Sequence, residues 1–152
     1  MIKNQSTFYR DLIQNILSIS SEELINIGKK KYTLHAYIVK KNKVLSSGKN
    51  RYSIYPEFKD LVLNNGSDFD FKKTIKYGKL ITIHAELDAI INLSFDRKKI
   101  ANSTLIIAGL TKAGNLIRSK PCANCIEILN MFRIKDIVYI NKNGEIVYEK
   151  LK

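Results

Sequence analysis

The chain has 152 residues, of which 45% are hydrophobic and 26% are charged, and its net charge at pH 7 is +12. This length and apolar content predict a single domain over residues 1–152, with an N-terminal helical segment (1–30) and a core (31–152) that contains the sheet and the functional site. Two cysteines three positions apart exclude a disulfide framework, and the lack of a run of roughly 20 apolar residues excludes a membrane span, so we expect a soluble cytoplasmic protein with no membrane partner.

The first thirty residues predict two helical segments. Residues 6–18 place Phe8, Leu12 and Ile16 at the spacing of one face of a helix. Ser20 begins a short run, Ser-Ser-Glu-Glu, whose hydroxyl and carboxylate groups favour the start of a helix. We therefore expect one helix over 6–18 and a second one that starts at Ser20.

Two strands and a long connection come next. Tyr32–Val39 alternates, which places His35 on one face of a β-strand and Ala36 on the other. Val44–Ser47 is the second predicted strand, joined to the first by a lysine-rich turn. Residues 57–80 then form a long irregular connection just before the first motif, where it is placed to cover a functional site.

Five further elements are predicted in the second half of the chain. They are a helix over His84–Leu93, a buried strand over Thr104–Leu110, a helix with Pro121 in its first turn and with Ile126, Leu129 and Phe132 facing inward, and strands over Asp136–Ile140 and Glu145–Glu149. Asn143-Gly144 between the last two strands is typical of a tight hairpin. The order of elements predicts an α/β fold in which helices flank a mixed five-stranded sheet, with the last two strands as an antiparallel hairpin.

Two short motifs, His84-Ala85-Glu86 and Pro121-Cys122-Ala123-Asn124-Cys125, each begin a predicted helix. Cys122 and Cys125 lie on one side of a first helical turn, where the helix dipole and a cation both favour thiolates. With His84 as a third ligand, the set Cys₂His leaves one position of a tetrahedral Zn²⁺ open for water, as in catalytic zinc sites. Zinc lowers the pKa of such a water to roughly 7, and Glu86 is placed to take the proton.

Each motif alone leaves alternatives open. Cys-x-x-Cys also occurs in structural zinc sites and redox pairs, and His-x-Glu is common by chance. In this order, however, H-x-E…P-C-x-x-C is the signature of the zinc deaminases of nucleobases. The chain resembles the cytidine and deoxycytidylate deaminase superfamily at these residues, over about residues 30–150, and more loosely at Gly48-Lys49-Asn50.

The resemblance implies a three-layer fold and a set of residue roles. The ligands of Zn²⁺ would be His84, Cys122 and Cys125. Glu86 would carry protons from the water to the ring nitrogen and later to the departing ammonia. Backbone groups of Ala85 and Cys125 would hold the base, and Asn50 would contact the sugar unless it is only a turn residue. Relatives commonly self-associate, so a homo-oligomer is expected.

His35 raises a second, non-enzymatic hypothesis. If it were a fourth zinc ligand, the metal site would be closed and structural, and the domain could be a binding module. Its place on the first predicted strand, well before the motifs, favours an ordinary buried or surface histidine instead.

The substrate is less clearly indicated than the reaction. A tight hairpin between the last two strands resembles the branch that contains free-nucleoside deaminases, blasticidin-type deaminases and DNA-deaminase toxins. Gly48-x-Asn50 with His-Ala-Glu also resembles small phage-type deoxycytidylate deaminases. Lys49, Lys79 and Lys120 could meet a substrate phosphate.

We favour a small-molecule substrate, namely cytosine in cytidine, deoxycytidine or deoxycytidylate. The alternative is a deaminase that acts on cytosine or adenine within DNA or RNA. The net charge supports this alternative. It is opposed by the small share of arginine, 5 of 26 basic residues, and by the lack of an evident run of aromatic residues that could stack on flanking bases.

Overall fold

The computed structural model describes residues 5–26, 32–50 and 84–151. Its helices are α1 (Gln5–Glu23), α2 (Ala85–Ile91), α3 (Arg97–Ile100) and α4 (Ala123–Met131), and a 3-10 turn (Leu24–Asn26) follows α1. Its strands are β1 (Tyr32–Lys40), β2 (Lys43–Lys49), β3 (Thr104–Thr111), β4 (Asp136–Ile140) and β5 (Ile146–Lys150). The predicted connection at 57–80 lies outside these ranges. No helix within them is long and apolar enough to cross a membrane.

The five strands form one mixed sheet in the order β2-β1-β3-β4-β5. β1 is antiparallel to both of its neighbours, whereas β3 and β4 are parallel. β4 and β5 form an antiparallel hairpin, in which Gly144 takes a φ of 79° that glycine adopts without strain. The mixed five-stranded sheet and its terminal hairpin, both predicted from the sequence, are confirmed.

Helices cover both faces of the sheet, so the fold has three layers. On one face, Ala36 and Ile38 of β1 pack with buried residues of α2 and α4. On the other face, Tyr37 and Val39 pack against α1. The alternation along β1 therefore separates two cores, as its sequence pattern predicts.

The prediction of two N-terminal helical segments is wrong, because α1 continues through Ser20 without a break. Ser20 is fully buried, and its hydroxyl lies 3.1 Å from His35 Nδ1 on β1. That hydroxyl therefore has a partner in the sheet and does not start a new helix.

Three other local features differ from the prediction. The four-residue α3, which the sequence reading did not anticipate, begins after Asp96, whose carboxylate accepts a hydrogen bond from Lys99 N. Pro121 lies before α4 instead of in its first turn, because Cys122 is the extended N-cap residue of that helix. Ile126 is only half-buried, and the inward side of α4 is formed by Ile128 and Leu129.

The edge strand β2 is fixed to α2 by hydrogen bonds between backbone and side chains. Lys49 N donates to Asp88 Oδ2 at 2.9 Å, and Asn92 Nδ2 donates to Ser47 O at 2.7 Å. Between these contacts Gly48 lies so close to α2 that a Cβ atom there would be 2.2 Å from Ala89 N. The position of α2 relative to the sheet therefore depends on the absence of a side chain at residue 48.

We expect Gly48→Ala to lower the free energy of unfolding by about 1–3 kcal/mol, because the added methyl group meets backbone atoms that can move only with α2. Urea denaturation measures the change. Ser47→Ala is the matched control, since that side chain is exposed, and it should change stability by less than about 0.5 kcal/mol. Equal unfolding midpoints for the two variants would contradict this account of the β2–α2 contact.

Candidate metal and substrate site

A cavity of about 170 Å³ lies at the end of the sheet where β1 begins and β3 ends. Its lining residues come from β1, the end of β2, the start of α2, β3 and the segment before α4. They are Tyr32, Leu34, Asn50, His84, Ala85, Glu86, Ile107, Arg118, Ser119, Lys120 and Cys122. The structure thus brings most of the predicted site residues into one cavity.

His84 and Cys122 occupy equivalent positions, since each is the N-cap residue of its helix. Neither side chain caps its own helix, and instead the two side chains approach each other. His84 Nδ1 lies 3.7 Å from Cys122 Sγ and 3.3 Å from Cys125 Sγ. In the part of the chain that is described, these three side chains form the one group of at least three His, Cys, Asp or Glu residues that could hold a metal ion.

The spacing of the donor atoms matches a tetrahedral zinc site. Zn–N and Zn–S bonds of about 2.0 and 2.3 Å at a tetrahedral angle separate the nitrogen from each sulfur by about 3.5 Å. The observed separations of 3.7 and 3.3 Å bracket this value. The chemistry of the set, one imidazole and two thiols, also suits Zn²⁺. The group therefore fits Zn²⁺.

His35 does not belong to this group. It lies on the α1 face of β1, across the sheet from α2, and both of its ring nitrogens have other partners. Nδ1 contacts Ser20 Oγ, and Nε2 lies 3.3 Å from Glu23 Oε1. A role for His35 as a fourth ligand is therefore not supported by its position.

Hydrogen bonding and burial set the protonation states of the groups around the cavity. Hydrogen bonds from Cys125 and His84 lower the pKa of Cys122 to about 3, so this thiol is ionised. The pKa of Cys125 is raised because its thiol donates to Cys122 and is buried. The pKa of His84 is raised chiefly by its hydrogen bond with Cys122. Since metal ligands must be deprotonated, a cation would replace protons on this group.

Glu86 is the second residue of α2 and is only 5% exposed. Burial raises the pKa of its carboxyl group, because an ionised carboxylate loses its hydration inside the protein. A carboxyl group with a raised pKa is a stronger proton acceptor than an ordinary carboxyl group, which suits a group that takes up and passes on a proton.

Asn50 and Ala85, the predicted substrate contacts, both line the cavity. The Asn50 side chain is held by β1, since Leu34 N donates to its Oδ1 at 2.9 Å and its Nδ2 donates to Tyr32 O at 3.2 Å. Ala85 is fully buried at the first turn of α2. Both polar groups of the Asn50 amide therefore bind the β1 backbone at the wall of the cavity.

Arg118 was not anticipated from the sequence, although it precedes the cysteine motif by only four positions. Its neighbour Ser119 is buried, donates to Ile107 O and accepts from Ile140 N, both at 2.8 Å. These bonds fix the segment between the ends of β3 and β4. Arg118 and Lys120 flank Ser119, and both line the cavity.

The three lysines proposed as phosphate contacts have different positions. Lys120 lines the cavity, and its Nζ lies 3.5 Å from Glu149 Oε2. Lys49 is absent from the cavity wall, and its Nζ pairs with Glu23 at 3.8 Å beside α1, so that part of the prediction is wrong. Lys79 lies outside the described residues.

Comparison with known proteins identifies one matching family and one matching fold. The model of the cytidine and deoxycytidylate deaminase zinc-binding region matches residues 12–141. No curated protein sequence gives a significant match. The dCMP deaminase from the cyanophage S-TIM5 superposes with a TM-score of 0.50 at 16% identity, over 88% of this chain and 86% of that chain. Cytidine deaminase from Burkholderia pseudomallei gives a TM-score of 0.51 at 13% identity, over 91% of each chain.

At these identities the structural likeness establishes the fold alone, and it confirms the predicted three-layer, cytidine-deaminase-like architecture. The matched range of the family model includes His84, Cys122 and Cys125, the three residues whose donor atoms converge. The model of the zinc-binding region matches most of the length of this chain, and the donor group fits the metal. The chain therefore belongs to the cytidine and deoxycytidylate deaminase family.

Proposed function

We propose that this chain catalyses the zinc-dependent hydrolytic deamination of a cytosine base in a nucleoside or mononucleotide. The substrate would be cytidine, deoxycytidine or deoxycytidylate, and the products the uracil form and ammonia. One observation carries the proposal: His84 and Cys122 border the same cavity as the buried carboxyl group of Glu86. A base in this cavity would meet a cation site and a proton carrier together.

In this proposal His84 Nδ1 and the sulfurs of Cys122 and Cys125 hold the metal. When bound, Zn²⁺ supplies Lewis acidity that makes water a nucleophile near neutral pH. The metal-binding group opens to the cavity on the side of Cys122, which is exposed and lines the cavity, whereas Cys125 is buried.

Glu86 would move the protons of the reaction. Water adds its oxygen to the amino-bearing carbon, and the amino group leaves as ammonia. The Glu86 carboxylate would accept one proton from that water and deliver it to the adjacent ring nitrogen. It would then accept the proton of the newly added hydroxyl group and pass it to the amino group, as the carbonyl forms and the C–N bond breaks. Its burial supports this role, because a raised pKa brings the carboxyl group closer to the pH at which it must act.

Asn50 and Ala85 would orient the substrate. The Asn50 amide is already fixed by two hydrogen bonds to β1, so little conformational freedom is lost when it contacts a sugar hydroxyl. Ala85 is small and buried at the start of α2, which leaves room for a base against the backbone.

Arg118 supports a phosphorylated substrate. Arg118 lines the cavity, is exposed, and forms no ion pair with any residue that the structure describes. A guanidinium group at the mouth of a cavity suits the bidentate binding of a phosphate. We therefore place deoxycytidylate first among the three candidate substrates.

Deamination of a base within DNA or RNA is the second candidate function. The net charge of +12 supports it, because a strongly basic surface attracts a polynucleotide. The small share of arginine, 5 of 26 basic residues, opposes it.

Substitution of the proposed ligands should remove the metal. We expect Cys122→Ser to lose bound zinc, because a hydroxyl group is a much poorer zinc ligand than a thiolate, whereas His35→Ala should keep it. Metal analysis of the purified, folded variants measures the zinc per chain. Loss of zinc in folded His35→Ala would instead support a closed structural site and a non-enzymatic domain.

Glu86→Gln should retain zinc but lose turnover by roughly 10²–10⁴-fold, because the amide has the shape of the carboxyl group and cannot carry the proton. Formation of uracil or hypoxanthine is measured with cytidine, deoxycytidine, deoxycytidylate, adenosine and single- and double-stranded oligonucleotides. Turnover of a cytosine nucleoside or nucleotide by the unmodified protein is the expected result. Activity confined to polynucleotides would favour the second candidate, and activity on none of these substrates would refute both.

Arg118→Gln should raise KM for deoxycytidylate by about tenfold or more, since a charge-assisted hydrogen bond to phosphate is lost. The kcat/KM of this variant for deoxycytidine should stay within about twofold of the value for the unmodified protein. Arg133→Gln, which removes the same charge from an exposed residue outside the cavity, is the matched control. Equal losses on both substrates would show that Arg118 supports the site in general and does not read a phosphate.

A further inference from the structure

A second cavity, of about 500 Å³, lies at the end of the sheet opposite the zinc-site cavity. It is formed where β1 ends and where β3 and β4 begin. Its lining residues are Tyr9, Val39, Lys40, Lys41, Asn42, Asn102, Thr104 and Lys135. Three of these eight residues are lysines and none is acidic, so the cavity wall is strongly basic.

The ammonium groups of this cavity are not neutralised by carboxylates. Lys40 Nζ donates to the backbone oxygens of Lys98 and Lys99, at 3.3 and 3.5 Å, which holds it in place without removing its charge. Lys41 and Lys135 are exposed and form no ion pair within the described ranges. Three lysines without a carboxylate partner among the described residues therefore line one concave surface.

The floor of the cavity is polar but provides few donors. The Thr104 hydroxyl donates to Asp136 Oδ1, and the Tyr148 hydroxyl donates to Asp136 Oδ2. Both carboxylate oxygens are thus engaged, and Asp136 is buried and does not line the cavity. The hydrogen-bond donors for a ligand come from the walls, namely the lysines and the amides of Asn42 and Asn102.

The turn at the rim has a left-handed backbone. Lys41 and Asn42, the two residues of the β1–β2 hairpin turn, have φ values of 52° and 61°, and Asn102 on the other side has 63°. Positive φ at both central residues is what a two-residue hairpin turn of type I′ requires. The hairpin therefore holds Lys41 and Asn42 at the edge of the cavity.

We infer that this cavity binds a phosphate group of a ligand other than the deamination substrate. Three cations and two amide donors around one concavity suit an oxyanion that carries more than one negative charge. The phosphate could belong to a small polyphosphate or to the backbone of a single-stranded nucleic acid. Because the cavity lies across the length of the sheet from Glu86, a ligand bound there does not contact the reacting base.

The test uses the zinc-loaded, full-length protein and two probes, inorganic tripolyphosphate and a single-stranded thymidine oligonucleotide. Backbone NMR shifts of Lys41, Asn42, Asn102 and Lys135 locate binding and give an apparent Kd at this cavity. The test variant is Lys41→Gln with Lys135→Gln. The matched control, Lys112→Gln with Lys142→Gln, removes the same charge from exposed residues at the other end of the sheet.

We expect at least one probe to shift these amides, and the test variant to weaken its binding by about tenfold while the control stays within about twofold. For the oligonucleotide, the slope of log K against log salt should fall by roughly 1.4, or 0.7 for each charge removed. Tripolyphosphate binding alone identifies a small ligand, whereas oligonucleotide binding that tripolyphosphate displaces identifies a nucleic-acid backbone. No shift at these amides with either probe, or equal weakening in both variants, overturns the inference. Thermal unfolding shows that both variants are folded.

Discussion

The contact between β2 and α2 is the constraint on which the site depends. α2 carries Glu86 and begins at His84, and its distance from the sheet is set by Gly48, where a side chain would overlap helix backbone. Asp88 extends the contact by accepting from Lys49 N, the residue before Asn50. One interface therefore fixes His84, the proposed proton carrier Glu86 and the proposed substrate contact Asn50 relative to one another. A small movement of α2 would misplace all three residues. Such a movement matters because catalytic groups must be positioned to well within 1 Å of their productive geometry.

Charge balance explains why these groups are assembled at two helix N-termini. Burial opposes ionisation of Glu86 and of Cys125, whose pKa values are raised. Cys122 is the exception, since hydrogen bonds from its neighbours stabilise its thiolate. A second thiolate beside a buried carboxyl group requires positive charge nearby, and a divalent cation supplies more than the partial charges of helix ends. The metal and the protons thus compete for the same atoms, so zinc affinity should rise as these groups lose their protons.

Local sequence patterns predicted the candidate metal-binding and catalytic residues of this chain better than they predicted its tertiary contacts. The metal-binding group and Glu86 could be identified because each motif is short, so its residues stay together in any fold. Alternation along β1 likewise predicted that His35 and Ala36 lie on opposite faces of the strand, which the structure confirms. By contrast, Arg118 enters the cavity only because Ser119 is bonded to β3 and β4, a contact between distant parts of the chain. Lys49 was misplaced for the same reason, since its partner Glu23 lies on α1. Self-association stays a prediction.

The central strand β3 passes between the two cavities and limits how they can influence each other. Thr104 contributes to the basic cavity and Ile107 to the zinc-site cavity, so along the strand they are separated by about 10 Å. This distance is close to the Debye length of about 8 Å at physiological ionic strength, and mobile ions do not enter the buried strand between the cavities, so salt does not isolate the cavities along this path. β3 is paired on both sides and almost entirely buried, and a close-packed core of this kind transmits strain. The most direct route by which a phosphate at the basic end could affect the substrate cavity is therefore β3 itself.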